Sequence, residues 1–245
     1  MNIGSKYIFR KSLPSTNSYA VKLLKNEKVE EGAVIYTNYQ SEGKGHGGSS
    51  WESEEGKNLL FSLILYPTTL KPSDQFIISK IISLGICDFI RPFTSKASIK
   101  WANDIYINND KIAGILIEAV LIRDEIENMI AGIGLNINQK IFTGGAPNPI
   151  SLSRVTGVEY NTEECLKQLV THLDKRYQEF LQKKRREIDR EYLGNLYRFD
   201  KWGEFSDSNG IYEGKIIGID RSGRLRIEDH RGRTYEYGFK EVTFL

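Results

Sequence analysis

The sequence predicts an α+β fold: a mixed, largely antiparallel sheet with helices packed on it, followed by a small C-terminal β-barrel. Three observations carry this. Apolar runs of strand length come in pairs joined by short polar turns, as in hairpins. Two longer stretches repeat their apolar residues at helical spacing. From about residue 203 the chain changes to short strands and tight turns alone. The regular β-α-β alternation of a doubly wound sheet is missing.

The elements follow in order. Residues 15–27 open on Ser15-Thr16-Asn17, whose side-chain oxygens suit the free N–H groups of a helix start, and continue as a short amphipathic helix. Residues 33–39 predict a strand, and after a glycine-dense loop so do residues 59–66. The wide apolar face of 73–91 predicts a mostly buried helix. Strands at 98–107, 112–122 and 125–137 are punctuated by Asn108-Asn109-Asp110 and Arg123-Asp124. Residues 138–160, with Gly144-Gly145, Pro147 and Pro149, read as loop. A helix from Asn161 to about Phe199 starts at the capping-box pair Asn161 and Glu164 and carries an apolar stripe through Leu166, Leu169, Leu173 and Tyr177. Strands at 211–219, 223–229 and 233–244 complete the chain, which divides into domains 1–200 and 201–245.

Bulk composition limits the function. The 245 residues are 40% hydrophobic and 27% charged, enough for a sizeable core. Net charge is 34 − 32 = +2, so no global field recruits nucleic acid or an anionic membrane. The two cysteines, Cys87 and Cys165, lie in apolar segments and read as buried free thiols in a reducing compartment. The N-terminus has no apolar signal-peptide core, and 59–66 is too short to span a bilayer, so a cytoplasmic protein with no membrane partner is expected. His46, His172 and His230 are not spaced with other ligands, and no dedicated metal site is expected. The basic run 183–186 is followed at once by acidic residues and reads as a solvated helix face.

Three constellations can carry chemistry. In the loop from Gln40 to Trp51, Gly43, Gly45, Gly47 and Gly48 let backbone N–H groups curl around an anion; Lys44 and His46 add charge, and Trp51 adds a flat face. The loop lacks the Gly-Lys-Ser/Thr ending of a Walker A motif, and no apolar helix follows its G-x-G-x-x-G as a dinucleotide site requires. A plain surface hairpin is the other reading. The second constellation is Lys100-Trp101-Ala102-Asn103-Asp104 with Lys111-Ile112-Ala113-Gly114. A lysine entering an apolar strand needs a partner or must snorkel to water. The third is Gly132-Ile133-Gly134-Leu135-Asn136, where alternate glycines bare one strand face for a ligand, a bulge or a close chain.

Taken together, these stretches and Ser15-Thr16-Asn17 resemble the catalytic module of biotin protein ligases. That family carries Ser-Thr-Asn, a Gly-Arg-Gly-Arg-type loop ending in Trp, Lys-Trp-Pro-Asn-Asp, Lys-Leu-Ala-Gly-Ile-Leu and Gly-x-Gly-x-Asn in the same order. The resemblance extends over nearly the whole chain. It implies a class II synthetase-like catalytic domain with an SH3-like C-terminal barrel, and an enzyme that activates biotin with ATP and transfers it to a lysine of a biotin carboxyl carrier domain. It implies a ligase without the DNA-binding domain that some members carry, and Mg²⁺ arriving with ATP. By resemblance Lys111 and Lys44 are the catalytic pair at the carboxylate–phosphate junction. Ser15, Thr16, Asn17 and Gln40 would bind the ureido ring, Gly132 and Gly134 would give the ligand room, and Gly43, Lys44, Gly45, His46, Lys111 and Gly114 would complete the biotin site. His46, Ser49, Trp51, Lys100, Asn103, Asp104 and Asn136 would serve the nucleotide side.

The loop departs from the family pattern. Lys44, His46, Gly47 and Ser49 stand where arginines are common, and lysine lacks the bidentate fork. With His46 in the place of a retaining arginine, a leakier or pH-sensitive hold on the adenylate is expected. Ala102 replaces the usual proline. Two other functions remain open on sequence: a lipoate ligase or octanoyltransferase of the same fold, and a nucleic-acid-binding module using the basic C-terminal strands.

Overall fold

The computed structural model describes residues 2–144 and 147–245, so Gly145 of the expected 138–160 loop lies outside the described residues. The first sheet contains β1 (Tyr7–Leu13), β2 (Val34–Gln40), β3 (Asn58–Leu65), β4 (Ala97–Lys100), β5 (Asp104–Ile107), β6 (Asp110–Ile122) and β7 (Glu125–Asn136). Their order is β1-β2-β3-β7-β6-β5-β4. β1 and β2 run parallel and the other neighbours antiparallel, so the sheet is mixed and largely antiparallel, as expected.

Side-chain alternation assigns the two faces. Leu59, Phe61, Leu63 and Leu65 of β3, with Met129, Ala131, Ile133 and Leu135 of β7, enter the main core. There they meet α2 (Phe76–Ile90), α4 (Thr162–Leu181) and α5 (Arg185–Gly194). Ile64 and Ile130 point the other way, into a smaller core under α1 (Thr16–Asn26) with Ala20 and Ile35. β3 is buried at all 8 positions because both faces are covered, which is why it reads as a continuous apolar run. Gly132 and Gly134 share the phase of Ile130, and Gly114, Leu116 and Glu118 alternate with the core residues Ala113 and Ile115. The bare strand positions therefore lie on the α1 face, away from the main core.

The structure corrects several element expectations. β1 was not anticipated: it is an edge strand whose Tyr7 and Phe9 stay exposed, so no inward stripe marks it. The 98–107 strand is β4 and β5 separated by a turn at 101–103. A short helix α3 (Leu152–Thr156) forms within the expected loop, capped by Ser151. The helix expected from Asn161 to about Phe199 breaks where Lys183 takes φ 60, just beyond Leu181, the last residue of α4. Asn161 caps α4 through the N–H groups of Glu163 and Glu164.

The C-terminal sheet has five antiparallel strands, β8 (Trp202–Asp207), β9 (Gly210–Ile219), β10 (Leu225–Asp229), β11 (Thr234–Tyr237) and β12 (Thr243–Phe244). β8 was not anticipated, and the 233–244 strand is two strands joined by a turn. The order is β11-β10-β9-β8-β12, and among the described residues no ladder pairs β11 with β12. Phe205, Ile216, Leu225 and Ile227 are fully buried and continuous with the main core. Trp101 Nε1 donates to the Gly223 carbonyl at 2.8 Å, tying the 101–103 turn to this sheet. Cys87 and Cys165 are buried and unbonded, and burial pushes the Cys87 thiol up to about 12. Among the described residues no helix is long and apolar enough to cross a membrane.

Candidate active site

A cavity on the α1 face gathers Ser15, Thr16, Asn17, Gln40, Lys44, Gly45, His46, Ser49, Trp51, Asn103, Asp104, Lys111, Gly114, Gly132 and Gly134. Most of the residues singled out in sequence thus converge. Gly43, Lys100 and Asn136 do not line it.

The deep end is a polar cluster built on the first turn of α1. Ser15 is the helix N-cap, its hydroxyl accepting from the Ser18 N–H. Thr16 N–H donates to Gln40 Oε1 at 2.7 Å, so a side chain of β2 satisfies an orphan donor of the helix start. Ser62 of β3 lies 2.6 Å from Asn17 Oδ1 and 2.7 Å from the Thr16 hydroxyl. Asn17 Oδ1 can only accept, so Ser62 gives it its single proton, while the Thr16 hydroxyl has both Ser62 Oγ and Gln40 Oε1, the latter at 3.1 Å, within reach of its own. Asn17 Nδ2 donates to Glu118 Oε2 at 2.7 Å and to the Leu116 carbonyl at 3.2 Å. Thr16 and Asn17 are 4% and 3% exposed, so this network is held in place rather than solvated. Ser62 and Glu118 carried no sequence signal: a serine and a glutamate in apolar strands read as ordinary variation.

The glycine loop is a small ordered hairpin. Lys44 bridges Ser50, Gly45 N–H donates to Ser49 O at 2.7 Å, and Trp51 N–H donates to Gly43 O at 2.9 Å. A short 3₁₀ turn, His46–Gly48, forms its tip, with Gly47 at φ 62 and Gly48 at φ 83. The strand glycines serve the protein's own side chains first. A Cβ on Gly132 would stand 2.4 Å from Asn17 Oδ1, and one on Gly134 would stand 2.3 Å from Trp51 Cε2. Gly114 similarly leaves 2.9 Å to Trp51 Cζ3. The indole therefore lies flat on the bare face of β6 and β7. Its Nε1 is buried without a hydrogen-bond partner among the described residues.

Lys111 enters at the start of β6. Its backbone is bracketed by residues 148–150: its N–H donates to Asn148 O at 2.8 Å, and its carbonyl accepts from Ile150 N–H at 2.9 Å. Its ammonium lies 2.7 Å from Asp104 Oδ1 and 5.7 Å from the centre of a Trp51 ring. Asn103 closes the neighbouring turn by donating to the Ile115 carbonyl at 2.7 Å. A lysine with a partner, not a snorkelling one, is the outcome.

The remaining expected residues are placed elsewhere. Lys100 is directed at Tyr106 and Phe244, 4.9 Å and 5.3 Å from their ring centres, and desolvation holds its ammonium below the usual lysine value. Asn136 Nδ2 donates to the Ile150 carbonyl at 3.0 Å and anchors the segment that brackets Lys111. Gly43 is packed 2.4 Å (from its would-be Cβ) against the Trp51 carbonyl.

Two lining residues lie outside every stretch singled out in sequence: Phe239 and Lys240, from the turn between β11 and β12. The Phe239 ring packs on the His46 ring at 3.8 Å, and Lys240 Nζ donates to the Gly47 carbonyl at 3.1 Å. No local motif marks them, because their role depends on how the C-terminal sheet meets the loop. Partial burial, then the Lys240 charge, holds His46 below its ordinary value, so His46 is neutral at pH 7.

Residues 9–136 match the biotin/lipoate A/B protein ligase family. The chain belongs to that family. It is 28% identical over 237 residues to the bifunctional ligase/repressor BirA of Bacillus subtilis, covering 94% of this chain and 71% of that protein. It is 27% identical over 232 residues to the biotin–[acetyl-CoA-carboxylase] ligase of Paracoccus denitrificans, covering 89% of this chain and 92% of that one. Its fold matches the biotin protein ligase of Aquifex aeolicus in complex with biotin and ATP, with a TM-score of 0.80 at 24% identity, over 98% of this chain and 99% of that chain.

Proposed function

We propose that this protein is an ATP-dependent biotin ligase acting on a biotin carboxyl carrier domain. The observation that carries the reading is the single cavity that joins a buried polar cluster at one end to Lys111 and Lys44 near the glycine loop. The polar end suits the ureido ring, which both donates and accepts. A lipoate dithiolane offers nothing to Asn17, Thr16 or Gln40, and a buried polar site left unpaired by its ligand rejects it.

The biotin carboxylate attacks the α-phosphorus of ATP, forming the C–O–P anhydride and releasing pyrophosphate. The carrier lysine amine then attacks the carbonyl, forming the amide, losing a proton and releasing AMP. Both reactants of the first step are anionic. One ammonium about 4 Å from an anion contributes about 4 kcal/mol at an effective dielectric near 20. Lys111, transferring its contact from Asp104 to the junction, and Lys44 from the loop supply that charge, and fixed placement supplies much of the rest. The indole of Trp51 walls the junction, and Asn103 and Asp104 shape the nucleotide side. Mg²⁺ comes as part of MgATP, held by phosphates and water; among the described residues no cluster of three or more His, Cys, Asp or Glu could cage it. Residues 1–200 form the catalytic unit and 201–245 the unit that covers ATP and meets the carrier.

Labelled biotin should pass to a carrier domain in the presence of MgATP, and Lys111→Ala should reduce the rate by about 10²-fold or more, the scale of a lost transition-state donor. Pyrophosphate release driven by lipoate and not by biotin would overturn the assignment.

A further inference from the structure

Resting on the ligase reading, we infer that Lys240 of the C-terminal sheet is a polyphosphate-binding residue of the active site, the cation for the departing pyrophosphate that the glycine loop itself lacks. The loop supplies one permanent positive charge, Lys44, since His46 is an imidazole packed at a tilt against Phe239. Lys111, once it exchanges Asp104 for the substrates, serves the carboxylate–α-phosphate junction and not the two phosphates that leave. A nucleoside triphosphate brings several negative charges, most of them on the two phosphates that leave. Holding them tightly calls for a cation near the loop tip beside the Mg²⁺ that ATP carries.

Lys240 meets that requirement in place and in availability. It lines the same cavity as Lys44 and Lys111 while belonging to the other sheet. Its ammonium lies over the loop tip, 3.1 Å from the Gly47 carbonyl. A Cβ on Gly47 would stand 2.5 Å from Nζ and 2.9 Å from Cε, so a side chain at residue 47 would displace the end of Lys240 from its present position. An ammonium has three donors and this contact uses one. Among the described residues no carboxylate pairs with Lys240 within the 4.0 Å limit of an ion pair. The backbone is arranged for the presentation. Lys240 takes φ 65, a left-handed conformation uncommon for a side-chain-bearing residue. The turn is fastened by Gly238 N–H to Glu241 Oε2 at 2.6 Å and by Glu241 N–H to Gly238 O at 3.2 Å. Such strain persists where surrounding contacts impose it, and it gathers at ligand clamps. Phe239 packs against His46 of the tip while Lys240 bonds Gly47.

The test uses the full chain with Lys240→Met, which keeps the stem and removes the charge, and Lys240→Arg, which keeps the charge. Binding of inorganic pyrophosphate is measured by calorimetry, and KM for MgATP and for biotin from biotin-dependent pyrophosphate release. Lys240→Met should weaken pyrophosphate binding and raise the MgATP KM, each about tenfold, the size of one charge-assisted contact. The biotin KM should stay within about twofold, and Lys240→Arg should restore the rest. Unchanged pyrophosphate binding and MgATP KM in a folded Lys240→Met overturn the inference, as does an equal rise in both KM values, which marks a packing role. Wild-type protein that binds pyrophosphate but releases none with biotin sinks the ligase reading alone, and the calorimetry still decides the role of Lys240.

Discussion

Among the glycines that line the cavity, Gly134 leaves the least room for a side chain. The atom nearest to an added Cβ belongs to an indole ring, which cannot yield by a rotamer change at its tip. Gly134→Ala therefore has to move Trp51 as a whole and with it the end of the loop. Adenylate retention should fall by about 10²-fold, the scale of a misplacement of about 1 Å, with little loss of fold stability. Adenylate release and tryptophan fluorescence check this; an unchanged release rate with an unmoved indole would refute it. His46 changes the pH expectation drawn from sequence. Its value lies below the ordinary 6.5 because of burial and Lys240, so the proton is already absent at pH 7. By linkage, a histidine depressed in the folded state costs stability as pH falls from 6.5 towards its folded value and contributes nothing above that range. Adenylate release by wild type and His46→Gln should coincide from pH 7 to 8.5 and separate only below about 6.5. An inflection in the wild type alone between pH 7 and 8 would contradict this. The residues that bear charge or glycine within a motif, Lys44, Lys111, Gly132 and Gly134, were legible because their types are costly where they stand. Ser62, Glu118, Phe239 and Lys240 were not, since what makes them matter is a neighbour distant in sequence.

At the scale of elements, legibility followed coverage. β3 and α2 have partners on most sides, and their apolar runs announced them. β1 shows water both its tyrosine and its phenylalanine, and β8 buries Phe205 while leaving Trp202 exposed, so neither displays a usable period. The helix expected through residue 199 failed at its middle because basic residues 183–186 permit a helix without requiring one. Its start was correct for a local reason. Asn161 Oδ1 accepts from two first-turn N–H groups, at 2.9 Å and 3.1 Å. The reciprocal half of a capping box, Glu164 reaching back to Asn161, is absent among the described residues, so the cap rests on Asn161 alone. Asn161→Ala should cost about 1 kcal/mol in denaturant unfolding, while Glu164→Ala should cost a few tenths. Equal costs would restore the full capping box.

On the scale of the whole molecule, the site depends on how the C-terminal sheet is held, since Phe239 and Lys240 reach the cavity only from there. Trp101 fastens it by one neutral hydrogen bond, and Asp74 by charge. Asp74 sits just before α2, its side chain 6% exposed, and receives the Arg221 guanidinium from the turn before β10 and Arg185 of α5 at 3.2 Å. Three units thus converge on one carboxylate. Arg221 is 70% exposed, so solvent screens much of the attraction, but removing the carboxylate leaves both Arg221 and the partly buried Arg185 without the partner they share. Asp74→Ala should destabilise the protein by about 1–2 kcal/mol and loosen the C-terminal sheet before the rest unfolds. The hydrogen bond from Arg221, with Arg185 adding to it, holds the Asp74 carboxyl below the ordinary 3.8. Stability from this group is therefore complete above the unfolded value and lost as pH falls through the folded one, below pH 4. Hydrogen exchange should show amides of β10 and β11 losing protection in Asp74→Ala at pH 7 while those of β3 and β7 keep theirs. The MgATP KM should rise in parallel, because the turn that carries Lys240 moves with the sheet. Uniform loss of protection across both sheets would mean that Asp74 contributes to global stability and not to docking.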